Sequence, residues 1–252
     1  MARIEVFQQR FHKVRFEWGP EGVRALAPVS DIVVIIDVLS FTTCADVAVN
    51  RGGIVFPYQY RDPSAIAFAA ERNARLAGKR GEGISLSPAS LLDLAQGSRI
   101  VLPSPNGATC SFLAKDYGAT VVAACLRNAS AVADYINNQG GTVAVIAAGE
   151  RWPDGSLRPA LEDMMAAGAI LSRLDHRRLS PEARAAAAVF HSAKHDLTRV
   201  LEECSSGQEL IAMGYPEDIA MAVSWDASET VPILNPEGAF VSWKQANLIK
   251  TE

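Results

Sequence analysis

The chain predicts an α/β fold: a mainly parallel central sheet followed by a helical C-terminal extension, in one domain spanning residues 1–252. Two observations carry this. Four times, an apolar run ends abruptly in polar residues, and a helical pattern or a polar loop follows: Ile32–Ile36 before Asp37, Arg99–Leu102 before Pro103–Thr109, Thr120–Cys125 before Arg127–Ser130, and Thr142–Ala148 before Gly149–Glu150. Unbroken apolar runs of this length suit strands covered on both faces of a parallel sheet. Right-handed crossovers then set all four exits along one rim, the carboxyl edge where ligands collect in open α/β sheets.

In chain order, Arg3–Gln9 alternates apolar and polar residues and predicts a first, edge strand, and Gly19-Pro20 marks a turn. After Asp37, the pattern Ala45, Val47, Ala48, Val49 predicts a helix closed by Gly52-Gly53, and Ile54–Tyr58 a short strand. Asp62-Pro63 has N-cap and N1 chemistry for an alanine-rich helix that passes Leu76 and stops at Gly78. Lys79–Pro88, with two glycines and little apolar content, predicts a surface loop. Beyond the fourth strand, Leu157–Leu174 predicts an amphipathic helix with Pro159 in its first turn. Glu162 and Asp163 then lie near its amino end, where the dipole favours acids. Ser180-Pro181 opens a long helix to about Glu203, two shorter helices begin near Ser206 and Pro216, and Thr230–Leu234 with Ala239–Trp243 predicts a closing strand pair.

A formal net charge of -4 gives no basic footprint for nucleic acid, and no apolar run approaches the ~18 residues of a membrane span. No signal-like apolar stretch follows Met1. Cys44, Cys110, Cys125 and Cys204 form no CxxC pair and are expected as reduced core residues of a cytoplasmic protein. His176, His191 and His195 lack an HExxH context and are expected to face solvent instead of binding zinc.

A carboxylate at the end of a buried strand is costly unless hydrogen-bonded, paired or metal-bound, so Asp37 marks a site; capping the next helix is its plainer role. Asp37, Glu150, Glu162 and Asp163 are oxygen donors without neighbouring His or Cys in sequence, a set that selects Mg2+. Ser40, Thr42, Thr43, Asn106, Gly107 and Asn128 stand at predicted helix starts, where amides and dipole favour an anion. Arg127, with Arg151 or Arg158, adds charge-assisted contacts. No GxGxxG, GxxxxGK[ST] or GxSxG pattern occurs, which disfavours dinucleotide, P-loop and hydrolase-elbow chemistry. The residues therefore predict a magnesium-dependent enzyme acting on a small phosphorylated acid.

Ile35-Ile-Asp37-Val-Leu-Ser-Phe-Thr-Thr, Ser104-Pro-Asn106-Gly107-Ala, Asn128-Ala-Ser-Ala-Val-Ala, Ala148-Gly-Glu150, Ala160-Leu-Glu162-Asp163-Met-Met and Gly214-Tyr-Pro-Glu-Asp218-Ile-Ala with Val231-Pro232 resemble the 2-phosphosulfolactate phosphatase family. The resemblance runs in order from Asp31 to Pro232. It implies a three-layer α/β/α fold, a homodimer, and Mg2+-dependent release of phosphate from 2-phospho-3-sulfolactate in coenzyme M biosynthesis. Two positions depart from it: the arginine usual after Asp-Val-Leu is Ser40, and Asn-Ser-Pro appears as Leu86-Ser87-Pro88. The first bears on which phosphorylated hydroxy acid is bound, and feeds the alternative of a non-catalytic sensor of a phosphorylated metabolite. On the enzyme reading, Asp37, Glu162 and Asp163 would position the metal, Glu150 would orient or deprotonate water, and Asn106, Gly107 and Asn128 would hold phosphate. Phosphorylation of Asp37 is the rival mechanism; direct water attack is preferred because Leu39 stands where aspartyl-phosphate enzymes carry a second acid.

Overall fold

A computed structural model describes residues 2–248. Its elements in order are α1 (Ala2–Phe7), β1 (Val14–Trp18), α2 (Gly19–Leu26), β2 (Ile32–Ile36), α3 (Phe41–Asn50), β3 (Ile54–Tyr58), α4 (Ser64–Glu71) and β4 (Arg75–Leu76). The middle of the chain supplies β5 (Arg99–Pro103), α5 (Gly107–Lys115), β6 (Thr120–Ala124), α6 (Ala129–Gln139), β7 (Val143–Ala147), β8 (Glu150–Arg151), β9 (Leu157–Arg158) and α7 (Leu161–Leu171). Four helices follow, α8 (Pro181–Ala193), α9 (Leu197–Glu203), α10 (Ser205–Ala212) and α11 (Pro216–Ala222), before β10 (Pro232–Leu234), β11 (Phe240–Ser242) and α12 (Trp243–Leu248).

Nine strands make the main sheet in the order β1-β7-β2-β6-β10-β11-β3-β5-β4. The period-2 alternation of β2 divides its side chains between two cores: Val34 and Ile36 join one, Val33 and Ile35 the other. The first core is covered by α6, α7 and α8 through Val132, Ile136, Met165, Ile170, Ala186 and Phe190. The second is covered by α2, α3 and α5 through Val23, Leu26, Cys44, Ala48, Cys110 and Ala114. Helices on both faces of a mostly parallel sheet make the expected three-layer α/β/α sandwich. The hairpin β10–β11 enters antiparallel between β6 and β3 instead of closing an edge, so the C-terminal extension ends inside the sheet.

Several boundaries differ from expectation. Arg3–Gln9 does not form a strand: α1 is helical and Gln9 is left-handed (φ 48°), its side chain bonding Phe16 O and Glu17 Oε1. The first strand is β1, hidden in the sequence because Arg15 occupies a buried position. Its guanidinium donates to Gln8 O, Val29 O and Ser30 Oγ, which makes that burial tolerable. The helix predicted through Leu76 ends at Glu71, with Asn73 left-handed (φ 47°), and Arg75–Leu76 pairs with β5 as an edge strand. Leu157–Arg158 pairs with Glu150–Arg151, which delays α7 to Leu161. The long helix from Ser180 breaks at Lys194–Asp196 into α8 and α9. His176, His191 and His195 are exposed and all four cysteines are buried and free. No helix among the described residues is long and apolar enough to cross a membrane.

The α7–α8 contact closes on Gly168, where an added Cβ would lie 2.1 Å from Ala186 O and 2.7 Å from Phe190 Cβ. Gly168→Ala is expected to cost roughly 3 kcal/mol, the upper part of the usual overpacking range, read as a lower denaturant midpoint with unchanged slope.

Candidate active site

Strands β7, β2 and β6 run in register, Ile36 level with Ala147 and Ala124, so the chain leaves the sheet at one height. Asp37 stands there, 4% exposed. Its Oδ2 accepts the Gly107 N–H at 2.7 Å and the Ser104 hydroxyl at 3.2 Å, and its Oδ1 accepts Phe41 N–H at 3.2 Å. The last bond takes up the first amide of α3, whose N-cap position is Ser40; the first two tie the carboxylate to the exit of β5. Gly107 is required by this approach, since a Cβ would meet Asp37 Oδ2 at 2.7 Å and the Phe41 ring at 2.6 Å.

Asp163, from the first turn of α7, acts as a strut. Its Oδ1 accepts Val38 N–H and its Oδ2 accepts Gly149 N–H, both at 2.8 Å, so one carboxylate joins the exits of β2 and β7. Beside it Glu162 is 2% exposed, and its one hydrogen bond among the described residues comes from the weakly donating Cys204 thiol at 3.5 Å. Glu150, at the β7 exit, receives Asn106 Nδ2–H at 2.8 Å.

Four carboxyl groups thus crowd one rim. Burial raises the pKa of Asp37, and Glu162 raises it further against the three hydrogen bonds it accepts. Asp163 is held well above the carboxylate range by burial, then by Glu162 and Asp37. Glu150 is pushed up to about 8 by burial and by Asp37 and Glu162, with Arg158 pulling weakly the other way. Excess negative charge of this kind is what a bound cation relieves. Among the described residues no group of three or more His, Cys, Asp or Glu side chains is spaced to hold a metal ion by itself. Mg2+ asks for less, one or two carboxylates with waters and substrate phosphate completing its shell. The donor set at this rim fits that need.

Other predicted site residues lie elsewhere or look inward. Thr42 Oγ1 donates to Asp37 O at 2.8 Å and accepts Asp37 N–H at 2.9 Å, and Thr43 Oγ1 donates to Val38 O at 2.6 Å; both lock the turn instead of facing a substrate. Arg127 is spent on buried Asp46 at 2.9 Å and on Met221 O, and Asn128 on Cys125 N–H, Ala123 O and Thr230 O. These two residues fasten α3 and the 221–230 segment to the β6 exit and do not reach the carboxylate group. Ser40 Oγ accepts from Arg80 at 3.0 Å, and Arg80 forms an ion pair with Asp218, whose other oxygen takes the Ser87 hydroxyl at 2.5 Å. The predicted surface loop is therefore anchored at the site, with Ser85 and Ser87 buried. In the sequence Ser104 and Asp218 stand out only as members of the family motifs, with no role of their own, and Arg80 not at all; a charged pair 138 residues apart gives no local signal.

Comparison with known proteins gives a family match. Residues 20–237 match the family described as 2-phosphosulpholactate phosphatase. The chain is 31% identical over 237 residues to a probable 2-phosphosulfolactate phosphatase of Gloeobacter violaceus, covering 89% of this chain and 94% of that protein. It is 28% identical over 228 residues to one of Thermotoga maritima, covering 86% and 96%.

The crowding has a measurable consequence in metal-free protein. Native Glu150 keeps its proton up to about pH 8, while the unfolded side chain releases it near 4.5. Stability is therefore greatest below the unfolded value and falls as pH rises from about 5 to about 8. Glu150→Gln is expected to remove on the order of 2 kcal/mol of that fall, allowing for partial exposure, in chemical melts at pH 5 and pH 8.

Proposed function

The chain belongs to the 2-phosphosulfolactate phosphatase family, and from that premise we propose that it hydrolyses a small phosphorylated hydroxy acid, foremost 2-phospho-3-sulfolactate to 3-sulfolactate and phosphate, with Mg2+ as cofactor. As a family member it is a phosphoric monoester hydrolase. The observation that carries the reading is the group Asp37, Glu150 and Glu162, buried or half-buried acids raised or raising one another with no cationic side chain bonded to them among the described residues.

Mg2+, when bound, would neutralise phosphate oxygens and draw charge from the transition state. Glu162 and Asp37 would hold it, directly or through water. Asp163, with each oxygen on an amide, keeps the two exits at fixed spacing. Glu150 acts on the attacking water. Asn106 fixes its Oε2, and a proton affinity near the working pH suits a general base. Water oxygen bonds to phosphorus, its proton passes to Glu150, and the ester P–O bond breaks with the electron pair leaving on the alkoxide, which takes a proton from solvent. Asn106 and the first-turn amides of α5 would hold phosphate oxygens; Gly107 N–H is committed to Asp37. Asp37 Oδ2 accepts two hydrogen bonds and Oδ1 one, which leaves an Oδ1 lone pair for the metal; water attack is preferred over an aspartyl phosphate because Leu39 stands where aspartyl-phosphate enzymes carry a second acid.

We further propose a homodimer, which the exposed Phe7, Phe11 and Trp152 would suit, in the cytoplasm, where four buried free cysteines stay reduced. A role in coenzyme M supply requires that the sulfonate ester be the preferred substrate.

Phosphate release from 2-phospho-3-sulfolactate is expected to need Mg2+ and to fall at least about 10³-fold in Asp37→Asn, a loss of roughly 4 kcal/mol in transition-state stabilisation. Saturable binding without release would replace the enzyme by a sensor. In a single turnover in 18O-water, label is expected in phosphate with no phosphoryl adduct on Asp37; an acid-trapped adduct there would establish the covalent route.

A further inference from the structure

A cavity of about 560 Å³ opens beside the carboxylate rim, lined by Arg61, Lys79, Arg80, Ile66, Leu86 and Pro103 among others. One chain link and one hydrogen bond fix it next to the reacting centre. Pro103 precedes Ser104, whose hydroxyl bonds Asp37, and Arg80 bonds Ser40, three residues after Asp37. Ser104 and Ser40 are thus the residues that stand between Asp37 and the cavity wall.

Its charge is lopsided. Arg61 donates to Pro103 O, a neutral carbonyl, and neither Arg61 nor Lys79 has an acidic partner among the described residues. Asp62 is the one acid of the lining among the described residues, and its Oδ1 is engaged by the Ser64 N–H and hydroxyl just before α4. Arg80 is held in place by Asp218, by Ser40 and by the Tyr215 ring 5.5 Å from its guanidinium carbon. Two of its five N–H donors serve these polar contacts, so a fixed guanidinium retains donors for a ligand. A held arginine backed by two unpaired cations is a binding device for an oxyanion, and it lies off the magnesium-phosphate centre.

We propose that Arg61, Lys79 and Arg80 bind a second acidic group of the substrate, so that the site selects phosphomonoesters carrying a carboxylate or sulfonate, with Arg80 as the specificity-determining residue. This rests on the phosphatase reading above. It gives Asp218 and Tyr215, far along the chain, a task at the site, and it supplies the guanidinium that position 40 lacks.

The test compares KM for 2-phospho-3-sulfolactate, 2-phospholactate and glycerol 2-phosphate in wild type, Arg80→Gln, Arg61→Gln and Lys79→Gln. Wild type is expected to show a KM for the sulfonate ester at least a hundredfold below that for glycerol 2-phosphate, and Arg80→Gln and Arg61→Gln to shrink the ratio below tenfold. 2-Phospholactate follows the sulfonate ester if the carboxylate fills the subsite, and glycerol 2-phosphate if the sulfonate does. Arg80→Gln leaves Asp218 buried without its cation, so the exposed Arg61 and Lys79 variants carry the test where thermal melts show that it does not fold. Calorimetric titration with 3-sulfolactate reads the subsite without turnover: if no ester is hydrolysed the phosphatase reading falls, while tenfold weaker 3-sulfolactate binding in the variants still upholds the subsite. An unchanged KM ratio together with unchanged 3-sulfolactate affinity in the folded variants overturns it.

Discussion

Everything at the rim depends on the bond between Asp37 Oδ2 and the Gly107 amide, 2.7 Å long and spanning 70 residues. It draws the amino end of α5 against the end of β2, and it is possible only because residue 107 has no side chain. The same contact holds Asp37 in a buried place where its charge is costly. The donors that stabilise it are backbone and hydroxyl groups, so its charge stays in the site uncancelled. Glu162 adds to that charge instead of relieving it, and Glu150 beside them is driven to hold its proton. A fold tolerates such an arrangement at sites where it performs work, and stability is lower there than burial alone would give.

The supporting frame is made of polar side chains that bond backbone. Asp163 links the β2 and β7 exits, Thr42 and Thr43 close the turn after Asp37, and Asn128 with Arg127 secures the β6 exit to α3 and the 221–230 segment. Few of these groups face open space. Polar residues gathered at the ends of strands therefore divide into those that meet a ligand and those that hold the loops that meet it.

That division explains what the sequence discloses. Strands β2, β5, β6 and β7 are legible because they are apolar on both faces, and Asp37, Glu150 and Asn106 because each interrupts or follows such a run. Arg15 concealed β1, since its burial depends on three acceptors from Gln8, Val29 and Ser30 that only the folded chain assembles. Arg127 reads as an anion ligand for the opposite reason: its partner, Asp46, sits inside a helix that reads as wholly apolar on its inner face. Arg80 stays silent in the sequence because a glycine-rich loop gives no sign of the ion pair that anchors it. Pair partners more than a hundred residues apart are set by topology, and local pattern carries none of that information.

The antiparallel hairpin formed by the last two strands sits between β6 and β3, bridging two sets of parallel strands that otherwise do not touch in the sheet. The parallel groups on either side are complete by residue 147, yet neither can pair across the gap until residues 232–242 have been made. The domain consequently closes last at its middle, like a zip joined from its final teeth. A ribosome carrying this chain holds two half-sheets with open inner edges until residues 232–242 have emerged, a stage at which unpaired strands are exposed to neighbours.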